Sequence, residues 1–189
     1  MFLQSVIYAD VAELADALDL GSSAERRVGS SPSIRTKSFY NFMAKILLIS
    51  SKAYPEIAAR QILVMQSELQ RRSIKYDLIR VPQAIDIGIA LSIVSEAEDY
   101  DGVIIGGVII GNSPQQLVMY EECIRSIYAL SLDFAWPTGC AIIYGHSEEE
   151  ADQRLEEFTT EALTSCFDIM ELKKDLQSGD NEQQFRYQN

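Results

Sequence analysis

The sequence predicts an α/β fold: a three-layer sandwich built on a four-stranded parallel sheet, with helices on both faces. Three observations carry this. Four short apolar runs recur along the chain, at residues 46–49, 76–81, 102–110 and 141–144. They lack the apolar/polar alternation of a half-buried strand, which suits strands covered on both faces in a parallel sheet. Longer segments of helical periodicity separate them, and strand–helix alternation with right-handed crossovers produces helices on both sides of one sheet.

Residues 46–49, Ile-Leu-Leu-Ile, end at Ser50 and Ser51. Residues 56–73 set Ile57, Ile62, Leu63, Met65 and Leu69 among Arg60, Arg71 and Arg72, the pattern of an amphipathic helix. The second strand, 76–81, stops at Pro82, which has no N–H to give to a ladder. A helix over 84–97 carries Ile85, Ile89, Leu91 and Val94. After the third strand come a helix over 115–134, the fourth strand, and a helix over 148–173. In such sheets ligands collect beyond the carboxyl ends of the strands. The candidate segments are therefore 50–56, 81–88, 110–116 and 144–149.

Composition narrows the function. The net charge of −12 disfavours nucleic acid as a partner, because phosphate backbones call for a basic surface. It also disfavours an anionic membrane face, and no apolar run approaches the length of a span. Three widely spaced cysteines, Cys123, Cys140 and Cys166, fit reduced thiols in a cytoplasmic protein better than a disulfide frame or zinc site. A single histidine, His146, removes His-rich metal sites. It is the one side chain whose ordinary pKa lies near neutrality, and it stands just past the fourth strand. Its plainer reading is a solvated loop residue. Glu148, Glu149 and Glu150 beside it read as an acidic first helical turn. No metal site is expected.

Residues 1–42 read differently. Ser22, Ser23, Ser30, Ser31, Pro32 and Ser33 break any periodicity, and five acidic residues argue against a transit peptide. Residues 28–32, Val-Gly-Ser-Ser-Pro, can be encoded by GTG GGT TCA AGT CCC, which contains a stretch typical of a tRNA T arm. Residues 11–23 likewise resemble the translation of a leucine tRNA's D and anticodon arms. The expectation is a reading frame opened inside a neighbouring tRNA gene, or else a disordered extension, with Met43 as the natural start. A genuine helical extension is the alternative, since Val11, Leu14, Ala15 and Leu18 keep helical spacing. The domain is placed at 43–174, and the polar residues 175–189 are expected to form a disordered tail.

Three motifs in order carry a family resemblance. Arg80-Val81-Pro82-Gln83-Ala84-Ile85-Asp86-Ile87 resembles R-V-P-G-A-(aromatic)-E-(I/L). Residues 106–115, Gly-Gly-Val-Ile-Ile-Gly-Asn-Ser-Pro-Gln, resemble G-(A/C)-V-I-(R/K)-G-(E/D)-T-x-H. Residues 138–145 resemble a T-G-x-P-x-x-F-G strand. Together they identify a divergent member of the 6,7-dimethyl-8-ribityllumazine synthase family, whose fold is flavodoxin-like. The resemblance implies a cytoplasmic transferase of riboflavin biosynthesis. It implies condensation of 5-amino-6-ribitylaminouracil with 3,4-dihydroxy-2-butanone 4-phosphate, two small-molecule substrates, without a cofactor. A Schiff base forms, phosphate leaves, and the ring closes with loss of water. The resemblance also implies a homo-oligomer, a pentamer or a larger shell. The many apolar residues of 114–134 would supply its contacts.

Carried over by position, the resemblance places Gly111, Asn112 and Ser113 at the phosphate. It places Ala84, Ile85 and Asp86 at the ribityl chain, and Val108 and Ile109 beneath the pyrimidine. Tyr144 falls on an aromatic that reaches a neighbouring subunit's site; a packed core aromatic is its plain alternative. The departures are substantial. The catalytic histidine is Gln115, which cannot shuttle a proton near pH 7, so His146 is the candidate replacement. The stacking aromatic falls on Ala53, with Tyr54 adjacent. The phosphate-binding arginine falls on Glu157, and Ile110 replaces a common Arg or Lys. Positioning of two substrates is thus expected to outweigh proton transfer. The alternative readings are a catalytically impaired homologue that binds a lumazine or flavin or only assembles, and an unrelated flavodoxin-like nucleotide or flavin binder. Gln115 and Glu157 favour the first; the motif order disfavours the second.

Overall fold

The computed structural model describes residues 44–178. Strand β1 (Lys45–Ser51) leads into helix α1 (Pro55–Arg71) and strand β2 (Lys75–Val81). A 3-10 turn (Ala84–Asp86) precedes α2 (Ile87–Ser95), β3 (Gly102–Ile110), α3 (Pro114–Asp133), β4 (Thr138–Gly145) and α4 (Glu148–Ser178). The four strands form one parallel sheet in the order β2-β1-β3-β4. Helices α2 and α3 cover one face: Ile87, Leu91, Cys123 and Ile127 pack there with Leu47, Ile49, Val103, Ile105 and Ile142. On the other face α1 and α4 bring Met65, Leu69, Leu163 and Phe167 to Ile46, Leu48 and Ile104. Alternate residues of one apolar run thus serve opposite cores, which is why the runs show no polar face.

Boundaries follow local chemistry. α1 starts after Tyr54, held left-handed at φ 52°, with Pro55 in the first turn. α3 starts at Pro114, with Ser113 as its N-cap. The expected helix over 84–97 is divided: Asp86 accepts the Gln83 N–H at 2.9 Å, which closes a 3-10 turn before α2 begins. β2 is an edge strand, so it tolerates the exposed Lys75, Asp77 and Arg80. α4 runs on to Ser178, four residues beyond the predicted domain end, so residues 175–178 are helical and do not belong to the expected tail. The extension expected at 1–42 and the tail from 179 lie outside the described residues. Among the described residues no helix is long and apolar enough to cross a membrane.

Strand order places a switch between β1 and β3. From β1 the chain leaves by α1 over one face to β2, then returns by α2 over the other face to β3. The carboxyl ends of β1, β3 and β4 therefore frame the region where open α/β sheets bind ligands.

Candidate functional site

The most connected part of that region is the loop from β3 to α3. Past Ile110 the chain turns through Gly111 and Asn112 to Ser113, the N-cap of α3. The Gly111 N–H donates to the Gly145 carbonyl at 3.0 Å, tying the loop to the end of β4. Ser113 and Gln116 form a reciprocal cap. Gln116 Oε1 accepts from the Ser113 N–H (3.0 Å) and hydroxyl (2.7 Å), while its Nε2 donates to the Ile110 carbonyl (3.1 Å). The folded-back amide lies directly over Gly111. A Cβ there would stand 1.9 Å from Gln116 Cδ, so residue 111 has no room for a side chain while this cap is closed.

Two side chains converge on the Gly111 carbonyl. Tyr144 donates its hydroxyl to it at 2.9 Å, and His146 Nδ1 lies 3.4 Å away. The imidazole stands edge-on to Tyr144, ring centroids 5.7 Å apart, and Tyr120 of α3 flanks Tyr144 at 5.5 Å. The His146 N–H donates to Glu150 at 2.8 Å, which fixes the backbone beneath the exposed ring. Arg154, two turns into α4, donates to the Tyr144 carbonyl at 3.2 Å and lies over the Phe158 ring at 4.4 Å. The site thus has a glycine turn at a helix N-terminus, an imidazole, a phenol and a guanidinium. Helix N-termini favour anions through free N–H groups and the macrodipole, though here the Ser113 donors are already engaged by Gln116.

The other expected residues are distributed. Gln115 and Asn112 are exposed on the first turn of α3 and the loop before it. Ala84 is buried at the start of the 3-10 turn after β2, and its carbonyl accepts from the Cys123 thiol at 3.1 Å. Ile85 is exposed beside it, and the Asp86 carboxylate is occupied by the Gln83 N–H. Val108 and Ile109 are both buried and face opposite cores, Val108 with Ile143 and Leu155, Ile109 with Leu47 and Ile105. Within one chain they do not line a common surface. Tyr54 packs at the margin of the Val108 cluster. Glu157 is exposed on α4.

Burial pushes the thiols up, to about 12 for Cys123 and Cys166 and about 11 for Cys140. They are protonated at neutral pH and are not nucleophiles. Among the described residues no group of three or more His, Cys, Asp or Glu side chains is placed to hold a metal ion. A groove of about 480 Å³ runs along α4 past Thr160, Thr164 and Asp168. This part of α4 packs by the starts of the strands, with Met170 against Gly102 and Ala162 against Gly139. It lies at the wrong end of the sheet for the site.

Sequence reasoning missed Gln116 and Arg154. Gln116 was legible: Ser-x-x-Gln at residues 113–116 is a capping-box spacing. Arg154 was legible only in part, through its four-residue spacing from Glu150 and Phe158.

The chain is similar to known proteins over most of the described region. The sequence profile of the family described as 6,7-dimethyl-8-ribityllumazine synthase matches residues 43–174. A 6,7-dimethyl-8-ribityllumazine synthase of Paramagnetospirillum magneticum is 28% identical over 146 residues, 71% of this chain and 97% of that protein. Proteins of the same name from Novosphingobium aromaticivorans and Sulfolobus acidocaldarius are 32% and 26% identical. Those two matches cover 48% and 54% of this chain and 66% of each relative.

Proposed function

The chain belongs to the 6,7-dimethyl-8-ribityllumazine synthase family, and from this premise we propose that it makes 6,7-dimethyl-8-ribityllumazine from 5-amino-6-ribitylaminouracil and 3,4-dihydroxy-2-butanone 4-phosphate. The observation that carries the reading is the loop at residues 111–113, held at the start of α3 by Gln116 and at the end of β4 by Tyr144. In this reading the phosphate enters against Ser113 and the first turn of α3 by displacing the Gln116 amide. Arg154 supplies the positive charge that Glu157 does not. Ala84, Ile85 and Asp86 hold the ribityl chain, and the pyrimidine lies between them and the loop.

Catalysis in this reading is mainly positioning. Holding two reactants in register contributes about 7–11 kcal/mol, whereas a general acid or base adds about 10²–10⁴-fold. Gln115 can orient by hydrogen bonding but cannot carry a proton. His146, exposed and beside Gly111, is the residue able to do so. Exposed Ile89 and Ile93 on α2, and Leu117, Val118, Tyr128 and Leu132 on α3, form apolar surface suited to subunit contacts. The reading therefore includes a homo-oligomer, a pentamer or a larger shell, in the cytoplasm.

A second reading, a binding homologue without turnover, is favoured by one feature: Gln116 already fills the donors an anion would use. Titration with 5-amino-6-ribitylaminouracil, followed by addition of the phosphate substrate, tests the proposal. Tight binding followed by lumazine absorbance supports the synthase. Binding without product supports the second reading, and absence of both refutes the two together.

A further inference from the structure

The face of the sheet that meets α2 and α3 is apolar along β1 until its last residue. Side chains alternate along a strand, so Leu47, Ile49 and Ser51 share that face; the first two belong to its core. Ser51 is fully buried, and its hydroxyl has no hydrogen-bond partner among the described residues. It lies beside Val81 of β2 in the register. On its other side is Gly107 of β3, where a Cβ would stand 3.3 Å from Ser51 Oγ and 3.5 Å from Ala84 Cβ. A lone hydroxyl therefore sits under the 3-10 turn, between the carboxyl ends of β1 and β3. That is the switch point of the sheet, where ligands bind in folds of this type.

An unpaired buried hydroxyl weakens the folded chain, and a methyl of the same size would be the more stable choice. The turn above it supplies no partner: the Ala84 carbonyl accepts from the Cys123 thiol and not from Ser51. We propose that Ser51 is a substrate-binding residue whose hydroxyl pairs with a hydroxyl of a polyol chain, the ribityl chain in the reading above, on which this inference rests. The phosphate is the wrong partner. Ile110, where the anion loop begins, is three residues from Gly107, about 10 Å at roughly 3.3 Å per residue. Val81, Ala84 and Ile142 around the hydroxyl offer no counter-charge. A hydroxyl both donates and accepts, which matches a sugar alcohol.

The test compares the full chain with Ser51→Ala, a change that removes one atom from the core. Each is titrated with 5-amino-6-ribitylaminouracil and with the diaminouracil ring lacking the ribityl chain, and each is melted without ligand. Ser51→Ala is expected to bind the ribityl compound about 3- to 10-fold more weakly, with KM raised and kcat little changed. Its affinity for the bare ring should be unchanged, and its Tm equal or higher. A merely structural hydroxyl would lower Tm and leave both affinities alone, which overturns the proposal. So does an equal loss for both ligands, or none for either. If the unsubstituted chain binds neither ligand, the synthase reading fails and this inference falls with it.

Discussion

Replacing Gly111 with alanine should be destabilising or stabilising depending on one other residue. The new Cβ would overlap the end of the Gln116 side chain, 1.9 Å from Cδ and 2.1 Å from Nε2. The obstacle is a flexible amide, and Gly111 has no left-handed φ, so the backbone itself accepts alanine. What alanine removes is the cap. Gln116 makes three hydrogen bonds through its amide, to the Ser113 N–H, the Ser113 hydroxyl and the Ile110 carbonyl. At about 0.5–1.5 kcal/mol each, discounted for partial exposure, their loss costs about 1–2 kcal/mol, the range found for a lost helix cap. Against this, glycine to alanine at a compatible φ stabilises by about 0.4–1 kcal/mol through the unfolded chain. The net in the native background is a loss of about 1 kcal/mol. In a Gln116→Ala background nothing remains to displace, and the same substitution should be neutral or stabilising by about 0.4–1 kcal/mol. Urea unfolding of the four chains gives the coupling directly. Equal destabilisation by Gly111→Ala in both backgrounds would refute the claim that Gln116 sets the need for glycine.

Three further outcomes are expected. Ser113→Ala should weaken binding of the phosphate substrate by about 1–3 kcal/mol, read as a rise in KM for that substrate alone. Gln115→His should raise kcat by up to about 10²-fold; if His146→Ala abolishes activity by itself, His146 is the base and positioning alone is the wrong account. Stability should fall in acid. The hydrogen bond from Arg71, then that from Arg72, pulls the Glu68 carboxyl from its ordinary value near 4.5 down to about 2. Lys45, then Tyr100, likewise lowers Asp77 from 3.8. Carboxyls depressed by folding contribute stability fully present above their unfolded values and lost as pH falls through the folded ones. Unfolding free energy should therefore decline from about pH 4.5 towards pH 2, and Glu68→Gln should flatten part of that decline in a denaturant series.

The strands and their order along the chain were legible because a parallel sheet covered on both faces demands unbroken apolar runs, as at residues 102–110. The edge strand β2 was harder, and Pro82 rather than hydropathy marked its end. The division of 84–97 was hidden because it depends on one carboxylate, Asp86, reaching back to the Gln83 N–H. At the candidate site, motif order pointed to residues 111–113 and Tyr144, which the fold brings together, but it could not show that Gln116 folds back over Gly111. Nor could it show that Val108 and Ile109, adjacent in sequence, turn to opposite cores. The isolation of Ser51 arises only once Gly107 and Ala84 close around it. No run of residues along the chain announces it.

In the proposed function this divergent site still joins its two substrates. The most direct measurement mixes the purified full chain with 5-amino-6-ribitylaminouracil and 3,4-dihydroxy-2-butanone 4-phosphate, and follows lumazine absorbance and released phosphate together. Both products are expected in equal amounts, faster than without protein, at a rate that falls when Ser113 is replaced by alanine. A rate equal to that of the protein-free mixture, with the substrates shown to bind, would contradict it.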